Sequence, residues 1–198
     1  DAPSLLTLPY DHPRPAQQQF NGGRVQIQID TDLVTALNAV ARRNESTLFM
    51  VLLAGYAGLL ARYSGQDDIV IGAPVAGRPL AETETLIGLF LNTIALRIDL
   101  SDNPSCEHLI QNVRRTVVDA LANQDLPFEK VVDQVGADRT LNHTPVYQAM
   151  FMLNDDPAPV AFSGVEITPL EPPTVSTKFD LTLSLNETSN GLEGYIEF

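Results

Sequence analysis

The stretch Leu86–Leu100, Leu-Ile-Gly-Leu-Phe-Leu-Asn-Thr-Ile-Ala-Leu-Arg-Ile-Asp-Leu, changes character at its middle. Its first half is almost continuously apolar, broken by Gly88. Its second half alternates, with Thr93, Ala95, Arg97 and Asp99 on one side and Ile94, Leu96, Ile98 and Leu100 on the other. A period of two over that length is a strand with one buried face. Asn92 stands at the junction, so its amide is held at the edge of a packed core. There it either satisfies backbone groups or faces a cleft, and the rule that buried amides are paired favours the first.

A chain of 198 residues can be one large domain or two small ones, with a substantial core. Apolar content of 44% and charged content of 19% describe a folded globular protein. Twelve basic side chains against 25 acidic ones leave a formal charge of −13. That balance argues against a duplex nucleic-acid binder and against adsorption to anionic membranes. The single cysteine, Cys106, excludes an internal disulfide and fits a reducing cytoplasm. No signal-like segment opens the chain; the start, Asp-Ala-Pro-Ser, reads as a cut inside a longer polypeptide. The apolar run Leu48–Leu60, interrupted by Gly55, Tyr56 and Gly58, is too short to span a bilayer.

Residues 1–23 read as a linker: Pro9, Pro13 and Pro15 favour an extended backbone, and a Gly-Gly pair closes the stretch. Val25–Ile29 alternates as a strand. Asp30 or Thr31 caps a helix carrying Leu33, Leu37, Val40 and Ala41, and Ser46 or Thr47 starts a second, largely buried one. Gly55 and Gly58 inside that helix cost about 1 kcal/mol each against Ala, which implies close approach by another element. Asp68–Val75 is a buried strand turned away at Gly77-Arg78-Pro79. Gly72–Pro79 has the glycine spacing of a phosphate loop but lacks its Lys and hydroxyl residue, so no nucleotide site is expected. Pro104 opens a helix through Leu109, Val113, Val117 and Leu121. A polar turn, Asn123–Glu129, leads into a short helix with Phe128, Val131, Val132 and Val135 inward and Gly136 as its stop. Val146–Leu153, Val165–Leu170, Phe179–Leu185 and Leu192–Phe198 read as strands, with turns at Asp155-Asp156-Pro157 and Ser189-Asn190-Gly191. The irregular alternation suggests an α/β fold, a mixed sheet with helices packed on it.

No complete catalytic apparatus is visible. His12, His108 and His143 form no ligand cluster, so no metal site is expected; Gly-x-Ser-x-Gly is absent; and Cys106 has no evident activating base.

Several segments nevertheless resemble the later motifs of condensation domains from nonribosomal peptide synthetases. Ile87-Gly88-Leu89-Phe90-Leu91-Asn92-Thr93 followed by Arg97 is similar to that family's Ile/Val-Gly-x-x-x-Asn-Thr…Arg. Asn123-Gln124-Asp125-Leu126-Pro127-Phe128-Glu129 resembles its Asn/His-Gln-Asp-x-Pro-Phe-Glu. Arg139–Gln148 resembles Arg-Asp-x-Ser-Arg-x-Pro-Leu, with Thr140 in place of the Asp and His143 in place of the second Arg. Gly65–Gly72, Lys178–Leu183 and Leu8–Pro15 are also family-like, and order and spacing fit throughout.

The resemblance implies a chloramphenicol-acetyltransferase-like lobe (an α+β sandwich) over residues 24–198, the C-terminal subdomain, preceded by an inter-lobe linker at 1–23. The family's His-His-x-x-x-Asp-Gly belongs to an N-terminal lobe and does not occur here, so no catalytic residue is expected in this chain, which also seems to stop before the usual final helix. By the same resemblance, the substrate tunnel runs between lobes, and Asn92, Thr93, Asn123, Gln124 and Asp125 are its candidate lining. Asp125 is the expected cap of the helix near Pro127. Gly88, Arg97, Pro127, Phe128, Glu129, Arg139 and Pro145 are structural motif residues, with Phe128 in the core and Arg97 and Arg139 pairing with carboxylates. The implied reaction is amide formation between a carrier-bound acyl or peptidyl thioester and an aminoacyl acceptor, a reaction that this chain alone cannot complete. Asn92-Thr93 favours condensation over epimerisation. No cofactor is bound directly; 4'-phosphopantetheine arrives on carrier domains. The implied partners are the N-terminal lobe, carrier domains and an adenylation domain. The alternatives are a docking module of the same fold and a standalone thioester-dependent acyltransferase. An isolated lobe is expected to self-associate through exposed apolar surface.

Overall fold

The alternation beginning at Asn92 is realised as the edge strand β3 (Asn92–Asp99), with Ile94, Leu96 and Ile98 buried and Arg97 and Asp99 exposed. The computed structural model describes residues 2–78, 81–83, 85–136, 140–154, 165 and 176–198. Five further strands, β1 (Arg24–Asp30), β2 (Asp68–Val75), β4 (Ala149–Asn154), β5 (Leu181–Thr188) and β6 (Gly191–Glu197), join β3 in one sheet of order β1-β6-β5-β4-β2-β3. The β2–β4 and β4–β5 pairs are parallel and the others antiparallel, so the sheet is mixed. Four helices accompany it: α1 (Thr31–Arg43), α2 (Leu48–Ser64), α3 (Cys106–Ala122) and α4 (Phe128–Val135).

The helix starts follow local chemistry. Asp30 accepts the Leu33 N–H at 2.8 Å and Thr47 accepts the Met50 N–H at 3.3 Å, each satisfying a donor with no partner inside its own helix. The core lies between α2, α3 and one face of the sheet, where Leu53, Ala57 and Leu60 meet Ile69, Ile71, Leu96 and Val113. Phe151 is fully buried there, 5.0 Å from the Phe49 ring and 6.1 Å from Tyr56. No single described helix is long and apolar enough to cross a membrane.

Four expectations are corrected. Helix α3 begins at Cys106, capped by Ser105 through the His108 N–H at 3.3 Å; Pro104 stands before the cap, because the serine oxygen offers an acceptor that proline lacks. Gly55 and Gly58 meet no close neighbour, since a Cβ at either position would find nothing within 4 Å; Gly55 is on the exposed side of α2. Strand β4 starts at Ala149, not Val146, because Val146 adopts φ 71°, which breaks the extended backbone. The linker is also no free tether. Leu6 is buried and its N–H reaches Gln148 Oε1 at 2.7 Å, Gln66 donates to the Leu5 carbonyl at 3.0 Å, and the Gln18 N–H reaches the Leu141 carbonyl at 2.7 Å. The expected turn at 155–157 and the strand 165–170, apart from Val165, lie outside the described residues.

The Tyr56 hydroxyl is buried without a hydrogen-bond partner, an arrangement that costs free energy. Tyr56→Phe is expected to raise the unfolding free energy by about 1 kcal/mol, read from urea denaturation. A loss of stability would show that the hydroxyl is satisfied.

Candidate functional site

The Asn92 carboxamide, at the first residue of β3, is committed to the backbone of the segment before α4. Its Nδ2 donates to the carbonyls of Gln124 and Leu126, both at 2.8 Å, and its Oδ1 accepts the Phe128 N–H at 3.1 Å. Two donors and one acceptor thus fix the approach to α4 against the sheet edge. Of the two sequence readings of Asn92, backbone satisfaction is the one realised.

This arrangement also replaces the expected cap. Pro127 is the N-cap residue of α4 and makes no side-chain cap hydrogen bond; Asp125 lies two residues further back. The Phe128 N–H that a capping carboxylate would have served is taken by Asn92 instead. Asn123 turns the other way and donates to the Asp119 carbonyl at 2.9 Å, closing the end of α3.

Beside this clamp is a cleft of about 370 Å³ lined by Asn92, Thr93, Gln124, Asp125, Pro127 and Glu129 on one side and by Gly77 and Leu89–Leu91 on the other. Four of the five candidate lining residues therefore meet at one cleft, and Asn123 is not among them. The second wall depends on Gly77, at φ 61°, where a Cβ would come within 1.8 Å of the Phe90 carbonyl oxygen. Arg78 stacks on the Phe90 ring at 4.0 Å and donates to the carbonyls of Thr83 and Leu86. At Gly88 an added Cβ would lie 3.0 Å from the Phe90 ring, so the glycine leaves room for that ring. Beyond the wall, Leu86, Ile87, Leu89 and Leu91 are exposed, Leu89 to 92%.

Tyr147 underlies the cleft, a role the sequence reading did not give it. Its side chain shares a hydrogen bond with Thr93, and its ring contacts Phe128 at 5.2 Å and Phe179 at 5.4 Å. Gly72 on β2 makes room, since a Cβ there would be 2.3 Å from the ring. Burial pushes the phenol up to about 12, with the Thr93 hydrogen bond opposing the rise and the Glu129 charge adding to it. The preceding Val146 holds a left-handed φ that is strained for a β-branched residue. The Tyr147 N–H bonds the Pro145 carbonyl at 2.9 Å and the Thr144 hydroxyl donates to the Tyr147 carbonyl at 2.6 Å, so the turn is held from both sides. Phe128 is half-buried within this cluster rather than in the main core.

Arg97 pairs across the sheet with Asp68 in a two-pronged contact, at 3.0 Å from Nε and 2.8 Å from Nη2. Half-exposed, it adds at most about 1 kcal/mol. Arg139 lies outside the described residues. The sequence reading also missed Arg14, which bonds the Asp180 carboxylate and the Asn142 carbonyl; Tyr10 donates to Asp180 at 3.0 Å. Both residues lie in segments marked as family-like, but nothing local shows that they meet. No cluster of three or more potential metal ligands occurs among the described residues.

The mixed six-stranded sheet with its helices is a chloramphenicol-acetyltransferase-like fold. It superposes on the X-domain in the complex of the X-domain and OxyB from teicoplanin biosynthesis with a TM-score of 0.89 and 25% identity, covering 100% of this chain and 44% of that one. For holo-AB3403, a four-domain nonribosomal peptide synthetase bound to AMP and glycine, the TM-score is 0.85 at 26% identity, over 100% of this chain and 16% of that one. The family model of the Condensation domain matches residues 2–198, and the chain belongs to that family. Malpinin synthetase of Mortierella alpina is 47% identical over 198 residues, 100% of this chain. The chain spans 3–4% of the length of the curated relatives it matches.

Two outcomes follow for the site. Asn92→Ala leaves three backbone groups without their partner and is expected to lower the unfolding free energy by about 1–3 kcal/mol, measured in urea. An unchanged midpoint would mean that the clamp contributes nothing. For Tyr147, a phenol raised above its ordinary 10.0 stabilises the fold fully below that pH and loses the contribution as pH climbs through about 12. Wild-type stability should therefore fall between pH 10 and 12, and Tyr147→Phe should fall less over the same window. Parallel curves would contradict the assignment.

Proposed function

We propose that residues 24–198 are the C-terminal lobe of a condensation domain in a nonribosomal peptide synthetase, and that residues 1–23 lead in from the N-terminal lobe. The reaction is aminolysis: the amine of a carrier-bound aminoacyl acceptor attacks the carbonyl of a carrier-bound acyl or peptidyl thioester. The observation that carries this reading is the one-sided cleft at Asn92–Thr93 and Gln124–Glu129, bordered by the exposed apolar stretch Leu86–Leu91. Such a cleft is one wall of a channel, and the exposed leucines and isoleucine are the surface on which a second wall would seat. Thr93, Gln124 and the neighbouring carboxylates offer hydrogen bonds that orient a substrate arm, and alignment supplies much of the rate in aminolysis. No histidine lines the cleft among the described residues, so the base is assigned to the other lobe.

On this reading the chain binds no cofactor of its own. The 4'-phosphopantetheine arms come from carrier domains on either side, in the cytoplasm, with an adenylation domain supplying the activated amino acid. The likeness to an X-domain solved with OxyB supports a second reading, in which the lobe belongs to a docking module.

A single-turnover assay with loaded donor and acceptor carriers, adding the N-terminal lobe in trans, separates the two. Amide product only with both lobes present is the expected result. Reassembled lobes without product point to the docking module, and product from this chain alone contradicts the proposal.

A further inference from the structure

We propose that the free edge of β1 is a self-association surface that pairs two copies of this chain antiparallel, about a two-fold axis through Ile27. Strand β1 ends the sheet, with β6 on one side and no partner on the other among the described residues. Gly23 and Phe198 exchange both backbone hydrogen bonds, at 2.8 and 3.1 Å. By the alternation of antiparallel ladders, Val25, Ile27 and Ile29 then bond inward to β6. Arg24, Gln26, Gln28 and Asp30 consequently turn their N–H and C=O groups to the free edge.

Such edges are ordinarily guarded by Lys, Pro, a bulge or a covering segment. From Arg24 to Asp30 there is no Lys or Pro, and the ladder to β6 runs without a bulge. Charge stands only at the two ends, and with opposite signs.

Read against itself, the strand is self-complementary. About Ile27, Arg24 faces Asp30 of the second copy, Val25 faces Ile29, Gln26 faces Gln28, and Ile27 faces its own equivalent. The residues with outward-facing backbone groups oppose one another, as the ladder requires, and apolar side chains meet apolar side chains on the helix side. Sliding the register by two residues keeps the hydrogen bonds but separates Arg24 from Asp30, so charge selects this register. Arg24 is already extended over the Tyr195 ring at 4.2 Å with its Nε on Glu197 at 3.1 Å, leaving the terminal nitrogens for a second acceptor. One strand pair is smaller than a standard interface of about 1,600 Å², so the dimer is weak and concentration-dependent.

Sedimentation velocity on the full 198-residue chain tests the register with two double variants at the same exposed positions. Gln26→Lys with Gln28→Lys sets Lys opposite Lys twice, and Gln26→Lys with Gln28→Glu sets Lys opposite Glu twice. The first should raise the dimer Kd roughly tenfold and the second should lower it, with thermal midpoints unchanged. General charge works in the opposite sense: on a chain of net charge −13, adding two lysines reduces overall repulsion. A wild-type chain that stays monomeric at about 1 mM, or variants that shift Kd in the same direction, would overturn the proposal.

Discussion

The site geometry depends on one carboxamide. Asn92 supplies two donors and one acceptor in a single plane, and the segment before α4 presents the complementary set: two carbonyls and the first helical N–H. An aspartate offers no donor and a serine only one, so neither could complete the set. Because Asn92 is also the first residue of β3, the turn is referenced directly to the sheet rather than to its own helix. The wall of the cleft inherits that rigidity.

The floor is held by a different kind of constraint. Tyr147 enters its aromatic cluster only because Val146 takes a backbone conformation that β-branched residues avoid, and the surrounding bonds hold it there. Its ring in turn requires Gly72 on β2. Strain at one residue and a missing side chain at another thus place a buried phenol under Thr93. The linker is fastened by the same principle of full satisfaction. Gln148, almost wholly buried, accepts from Leu6 and donates to the carbonyls of Ser4 and Thr144.

Features decided within a few residues were legible in the sequence. The alternation of β3 and the caps at Asp30 and Thr47 depend on neighbours and came out as read. The motifs around Asn92 and Gln124–Glu129 also marked the segments that meet at the cleft. What escaped was the outcome of competition between distant partners. Asp125 is a good cap by local rules, but the N–H it would have served goes to a side chain 36 residues away. Pro104 lost the helix start to Ser105 for a local reason that could have been weighed. Gly55 and Gly58 were read as signs of crowding, yet a glycine's sequence neighbours do not reveal whether it faces a wall or solvent. The proline-rich linker looked detached because composition reports backbone preference, whereas its docking depends on Gln66 and Gln148, far along the chain.

The most direct test of the clamp is amide hydrogen exchange at Phe128, followed by NMR in the wild-type chain and in Asn92→Ser. Phe128 N–H is the first helical amide, with no acceptor of its own helix before it, so protection there has to come from Asn92. The account predicts slow exchange in the wild type and free exchange in the variant, while the amides of β2 and β3 stay protected. A Phe128 amide that exchanges freely in the wild type, or stays protected without the carboxamide, would contradict it.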